Sequence, residues 1–202
     1  MGDNVNNWRR FLKAYAAYES IIFRYVYGEK SCGRYNLYKY AAPISDNLYK
    51  NMRYINKAKD IDDINRILSN YERKSALNFK NVQFHLITNT VIMNTLEFRS
   101  PNATVEEIVW QNNVNALTKL VLSSSKDYFD EDHLNYELKH NRFSSKLELY
   151  MYDQVCLKKA LDFVDLIFDN NLDKVYFLRQ YIKGFCENYG VNKTSKTIKF
   201  VK

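Results

Sequence analysis

Glycine and proline are the scarce residues of this chain, with 5 Gly and 2 Pro among 202. So few chain-breakers leave little material for sandwich turns, linkers or glycine-rich phosphate cradles, and the reading tilts toward helices. The three cysteines, Cys32, Cys156 and Cys186, are odd in number and none stands in a CxxC pair. They read as thiols in a reducing cytoplasm rather than as a disulfide framework. No apolar run approaches the length of a membrane span, and the polar start Met1-Gly2-Asp3-Asn4-Val5-Asn6-Asn7 is not a signal peptide, so no membrane contact is expected. GxSxG, Walker and dinucleotide-binding patterns are also missing. Nucleophile-elbow hydrolases, P-loop enzymes and Rossmann dehydrogenases therefore have no support.

What the chain does have is 46% hydrophobic and 26% charged residues, enough for one ordinary core in a single domain spanning residues 1–190. Its formal charge of +7 is unevenly laid out. Residues 1–59 hold 11 Lys/Arg against 4 Asp/Glu, residues 60–190 hold 15 against 19, and the tail 191–202 holds 4 against none. A basic first third and a basic tail face either solvent or an acidic partner.

Trp8, Phe11, Leu12, Tyr15, Tyr18, Ile22, Phe23 and Val26 form an apolar stripe at helical spacing, interrupted by Glu19. Asn6 or Asn7 is its expected cap and Gly28 its stop. Ser45 is the expected cap of a second helix through Leu48, Met52 and Ile55, and Asp60 starts a third through Ile61, Ile64 and Leu68. Alternation with aromatic and β-branched residues predicts an antiparallel pair of roughly residues 76–87 and 91–99. After Ser100-Pro101-Asn102, Thr104 stands three residues before Glu107, the spacing of a capping box, and opens a helix to about Leu122. Residues 131–141 predict a short polar helix. Ser145 with Glu148 opens a long one whose inward face is Leu147, Met151, Val155, Ala160, Leu161, Val164 and Phe168; a last helix carries Val175, Leu178, Ile182 and Phe185. The fold class is α+β, predominantly α-helical, with a helical layer packed on a small antiparallel hairpin or sheet.

Three groups of residues carry candidate chemistry. On the strand "TLEFR", Glu97 and Arg99 share one face and Leu96 and Phe98 the other. The pair reads either as an exposed ion pair, or as a carboxylate for a metal or amine beside a guanidinium clamp for an anion. His133, Glu137 and His140 stand at i, i+4 and i+7 on one helix face, a workable zinc set, although the polar surroundings and the lack of HExxH favour a solvated face. In "FRYVYGEKSCGRYNLYKYAAPI", cations alternate with tyrosines, and Arg24, Arg34, Tyr35, Tyr38, Lys39 and, further on, Arg53 are the expected partner-binding positions. Such a surface suits a protein or nucleoprotein interface, and also single-stranded nucleic acid through phosphate contacts and stacking.

The order "AAYESIIFRYVYGEKSCGRYNLYKYAAPI", "SALNF" and "NTLEFRSPNATVEEIVWQNNVNALTKLV" resembles the amidoligase family over about residues 8–122. That family shows a helix with a central Glu, a Tyr/Arg-rich segment, a strand near "aLNl" and an "EFR-x-x-N-x-T" strand leading into a helix. The resemblance implies ATP-dependent carboxylate–amine ligation on a fold related to glutamine synthetase, with Glu97, Arg99 and Asn102 on the motif positions. The family pattern also includes upstream strands, "GxExE" with metal-binding carboxylates and "CGxHVH", and neither occurs among these 202 residues. Phosphoryl transfer leans on metal ions to neutralise the moving charge.

The expectation is accordingly a truncated, non-catalytic descendant reused as a binding module, with no cofactor of its own. Because the family is frequent on mobile elements, its concrete form is an inhibitor of a host nucleic-acid enzyme such as an RNA-guided nuclease. The alternative is a ligase using Mg–ATP, completed by a partner chain. The tail 191–202 is expected as an edge strand in cis, and a homodimer through the sheet edge is the other way to cover that edge.

Overall fold

The computed structural model describes residues 1, 4–27, 41–68, 74–85, 90–101, 105–126, 128–140 and 156–188. Arg34, Tyr35, Tyr38, Lys39, Asn102, Thr104, the Ser145–Glu148 cap and the tail 191–202 lie outside them. Among the described residues there are eight helices: α1 (Val5–Ala17), α2 (Glu19–Tyr27), α3 (Ser45–Lys57), α4 (Ile61–Leu68), α5 (Glu107–Ser123), α6 (Glu131–His140), α7 (Cys156–Ile167) and α8 (Asn171–Asn188). Four short strands, β1 (Leu77–Asn78), β2 (Val82–His85), β3 (Thr90–Asn94) and β4 (Glu97–Phe98), sit between α4 and α5. The predominantly helical α+β class is as expected.

The apolar stripe of the first 26 residues is two helices rather than one. Asn4 caps α1 by accepting from Asn6 N–H at 3.0 Å, and α1 ends at Tyr18, whose backbone (φ −110°, ψ 15°) leaves the helix just before Glu19. Every residue from Phe11 to Val26 is buried, because α1 packs against α2, α3, α5 and α6 and α2 packs against α7 and α8, so Phe11, Leu12, Tyr15 and Phe23 have no exposed surface. Burial of this many large side chains is the main favourable contribution to the fold.

Helix α3 is held at both ends by side chains from the first two helices. Ser45 does not cap it as the sequence suggested; it is the first helical residue, and Ile44 occupies the cap position with no side-chain bond of its own. Glu19 supplies the cap instead. Its carboxylate accepts from Ile44 N–H at 2.8 and 3.0 Å and from Ser45 N–H at 2.8 Å. At the other end the Arg9 guanidinium donates to the carbonyls of Ile55, at 3.1 Å, and Ala58. An anion at the helix N-terminus and a cation at the C-terminus both match the macrodipole and satisfy orphan backbone groups. Other caps are local: Asp60, the expected start of α4, accepts from Asp63 N–H, and Asp130 and Asn170, which the sequence reading did not name, accept from His133 N–H before α6 and from Asp173 N–H before α8.

The expected antiparallel pair is present as two short ladders. Strand β1 pairs β4 (Leu77 with Phe98, Asn78 with Glu97), and β2 pairs β3 with a register irregularity between Gln83 and Phe84. It is not a bare hairpin. Ala42, just before α3, lies parallel beside Ser75; its N–H donates to Lys74 C=O at 2.9 Å and its C=O accepts from Ala76 N–H at 2.8 Å. The neighbour on the β1 side thus comes from the approach to α3.

Three sequence readings are corrected. Helix α5 starts at Glu107 with Glu106 in the cap position, so Glu107 is the first helical residue and not the third-residue partner of a Thr104 capping box; its carboxylate accepts from Gln111 Nε2 at 2.9 Å instead. On α7 the inward residues are Cys156, Ala160, Phe163, Val164 and Ile167, while Leu161 is 43% exposed. On α8 Phe177 and Tyr181 are buried and Val175 is outward, because Tyr25 of α2 stacks on Phe177 at 3.9 Å and fixes the helix rotation.

Candidate functional site

Phe98 sets the geometry of the "EFR" strand. Its ring meets Phe11 edge-on at 6.2 Å and Tyr15 at 6.0 Å, so this face of β4 lies on α1. Strand alternation then turns Glu97 and Arg99 outward together. There they close on each other: Arg99 Nε donates to Glu97 Oε1 at 2.8 Å and a terminal nitrogen donates to Oε2 at 2.9 Å. Asn78 on the paired strand donates to the same Oε2 at 2.9 Å. Hydrogen bonds from Arg99, then from Asn78, hold the Glu97 carboxyl below the usual carboxylate range. Three donors occupy this carboxylate, and a bidentate guanidinium neutralises it. Asn102, the third motif position, lies outside the described residues.

The expected partner surface is distributed differently. Arg24 is 1% exposed, with its guanidinium 5.9 Å from the centre of the Tyr181 ring, so it belongs to the interior and not to a contact surface. Burial follows from its place in α2, which α7 and α8 cover. Arg34, Tyr35, Tyr38 and Lys39 lie outside the described residues. Arg53 is exposed on α3, beside Tyr54, which is 62% exposed. Lys50, Arg53 and Lys57 stand at i, i+3 and i+7, a single stripe on the outward face of α3. Lys50 is partly engaged, with Asp46 2.7 Å away.

The α6 face with His133, Glu137 and His140 does not converge. His133 Nε2 lies 3.2 Å from the Tyr18 hydroxyl, Glu137 pairs with Lys159 of α7 at 3.1 Å, and His140 Nδ1 turns back to Tyr136 C=O at 2.8 Å. Among the described residues no three His, Cys, Asp or Glu side chains stand together as a metal set. What the sequence did not show is the cross-helix cluster this face builds. Burial pulls Lys159 below its ordinary value although Glu137 opposes it, and burial followed by Glu137 and Asp162 pushes the Tyr18 phenol up. Lys159 also sits 5.7 Å from the Tyr18 ring centre. These contacts lock α6 and α7 onto the α1–α2 joint.

Glu19 was also missed as a structural centre. It is fully buried, and burial raises its carboxyl to about 7 against the lowering effect of its bonds from Ile44 and Ser45. The only signal in the sequence was a lone carboxylate inside an otherwise apolar stripe.

Strand β4 and helix α5 follow each other in the order the motif requires, and a family model described as putative amidoligase enzyme matches residues 2–121. The chain belongs to the amidoligase family. The match covers α1 to most of α5, so the outward Glu97–Arg99 pair, the buried Glu19 and the α3 face all lie within the family region. No curated protein and no solved structure matches the chain. No helix among the described residues is long and apolar enough to cross a membrane.

Proposed function

We propose that this amidoligase-family chain acts as a binding module rather than as a self-sufficient ligase. The observation that carries the reading is the closed Glu97–Arg99–Asn78 set. A carboxylate that takes three protein donors has little capacity for a metal ion or a substrate amine, and a guanidinium bound through two nitrogens is not free to clamp a phosphate. The working surface is the outward face of α3, where Lys50, Arg53 and Lys57 run beside Tyr54. Arginine and tyrosine carry interface energy well, and the basic first third of the chain steers an acidic protein or a nucleoprotein toward that face. The concrete form of this reading is a cytoplasmic inhibitor that docks on a host nucleic-acid enzyme, an RNA-guided nuclease being the example; what supports that form is the frequency of the family on mobile elements, while the charge and the exposed aromatic support a docking surface only.

The test has two arms. Calorimetry of the protein with Mg–ATP is expected to show no binding, and micromolar affinity overturns the reading in favour of a ligase completed by a partner chain. Capture of partners from the native host is expected to weaken at least tenfold, about 1.4 kcal/mol, when Arg53 and Lys57 are both replaced by Glu. Undiminished capture places the working surface elsewhere.

A further inference from the structure

Among the described residues, one edge of the small sheet is covered and the other is not. Arg99 N–H donates to Ala76 C=O at 2.8 Å, and Leu77 faces Phe98 in the register. Residues 76 and 99 are therefore the hydrogen-bonded pair, and 77 and 98 the non-bonded pair, so the N–H and C=O of Phe98 point away from β1. Among the described residues no backbone group meets them. On the β1 side the edge is taken by Ala42.

The open edge of β4 borders an apolar cleft of about 450 Å³. It is lined by Leu96 and Phe98, by Met1 and Trp8, and by Val114 and Val121 of α5. The same face of α5 continues toward its start through Trp110, one turn before Val114 and 59% exposed. Unpaired strand groups beside an apolar groove are the two ingredients of strand addition: the backbone gives affinity and the groove takes alternate side chains.

The occupant can be argued from where the described chain ends. Asn115 and Asn112 of α5 bond Asp173 and Gln180 of α8, so the two helices run antiparallel and α8 leads toward the N-terminal end of α5. Fourteen residues follow Asn188. An extended chain of that length spans up to roughly 45 Å. The cleft residues Val114–Val121 lie only about 10–20 Å along α5 from its first turn, at 1.5 Å per residue. Within that tail, Thr197-Ile198-Lys199-Phe200-Val201 combines β-favouring residues with strict alternation of Ile198 and Phe200 against Lys199.

We propose that residues 196–201 add to the free edge of β4 as a strand, with Ile198 and Phe200 filling the cleft between α1 and α5. Lys199 then falls on the outward face, beside Glu97. The segment closes the sheet in cis and covers the apolar wall of α5.

Amide hydrogen exchange on the full chain tests this. The Phe98 amide is expected to be protected in the native protein at all concentrations. Replacing Ile198 and Phe200 together by Lys is expected to speed its exchange at least tenfold, while the Arg99 amide, bonded to Ala76, stays within twofold. Val114→Glu, at an already exposed wall position, is expected to give the same acceleration. A Phe98 amide that exchanges freely in the native chain, or is unmoved by both variants, overturns the proposal. Protection that disappears on dilution also overturns it, in favour of a second copy pairing edge to edge.

Discussion

Glu19 shows how a single residue couples charge to the fold. Its carboxyl stands at about 7 in the folded chain against 4.5 when unperturbed, so the folded state binds the proton more tightly than the unfolded one. With the folded value raised, the stabilising contribution is complete below 4.5 and is lost as pH rises through 7. A shift of that size corresponds to about 3 kcal/mol. Urea unfolding between pH 4.5 and 8 is expected to show Glu19→Gln losing this part of the pH dependence; identical slopes for variant and native protein would refute the assignment. Glu97 behaves in the opposite sense. Arg99 and Asn78 hold it low, so its contribution is present above 4.5 and fades only in acid as the carboxyl protonates. Because the pair is largely exposed, Arg99→Lys is expected to cost at most about 1 kcal/mol and to leave partner capture within a few-fold. Loss of function by orders of magnitude with an unchanged melting curve would restore an anion-clamp role. The Glu97–Arg99 face was legible in the sequence, since strand alternation alone puts both on one side. The work of Glu19 was not, because its acceptor role depends on N–H groups 25 and 26 residues away.

At the scale of elements, what the sequence shows follows from how local the cause is. Asp60 caps the start of α4 from within its own segment, and the strand pair carries its own alternation, so these were readable; Asp130 and Asn170 are equally local caps of α6 and α8, although the sequence reading did not single them out. The division between α1 and α2, the true cap of α3 and the neighbour of β1 at Ala42 all depend on contacts between segments far apart in the chain. No local pattern encodes them. The Arg9 clamp offers a direct check. Its bonds supply a donor to the Ala58 carbonyl and a second donor to the Ile55 carbonyl, which also accepts from Ala58 N–H at 3.2 Å. Arg9→Met keeps most of the apolar stem but removes the donors, and is expected to cost about 1–3 kcal/mol in thermal or urea unfolding. A change under about 0.5 kcal/mol would mean that water replaces the guanidinium without penalty.

For the whole molecule, the decisive fact is that α1 and α2, separated only by Tyr18, form a central spine against which α3, α5, α6, α7 and α8 pack, and the aromatic contacts of that spine set the rotation of its neighbours. Tyr18 meets Phe163 at 5.1 Å, Tyr25 stacks on Phe177, and Phe163 meets Phe177 at 5.5 Å, so α7 and α8 each turn a phenylalanine inward. The periodicity of the sequence allows a different rotation, with Leu161 and Val175 inward, because both helices carry apolar residues on more than one face. Truncations separate the two. Phe163→Ala and Phe177→Ala, each at a 1% exposed position, are expected to destabilise by about 3–5 kcal/mol through lost transfer energy and the cavity left behind. Leu161→Ala and Val175→Ala, at 43% and 51% exposure, are expected to stay within about 1 kcal/mol. A reversed order in chemical denaturation would mean that α7 and α8 are rotated by about half a turn from the arrangement described, and the Tyr25–Phe177 stack could not then exist.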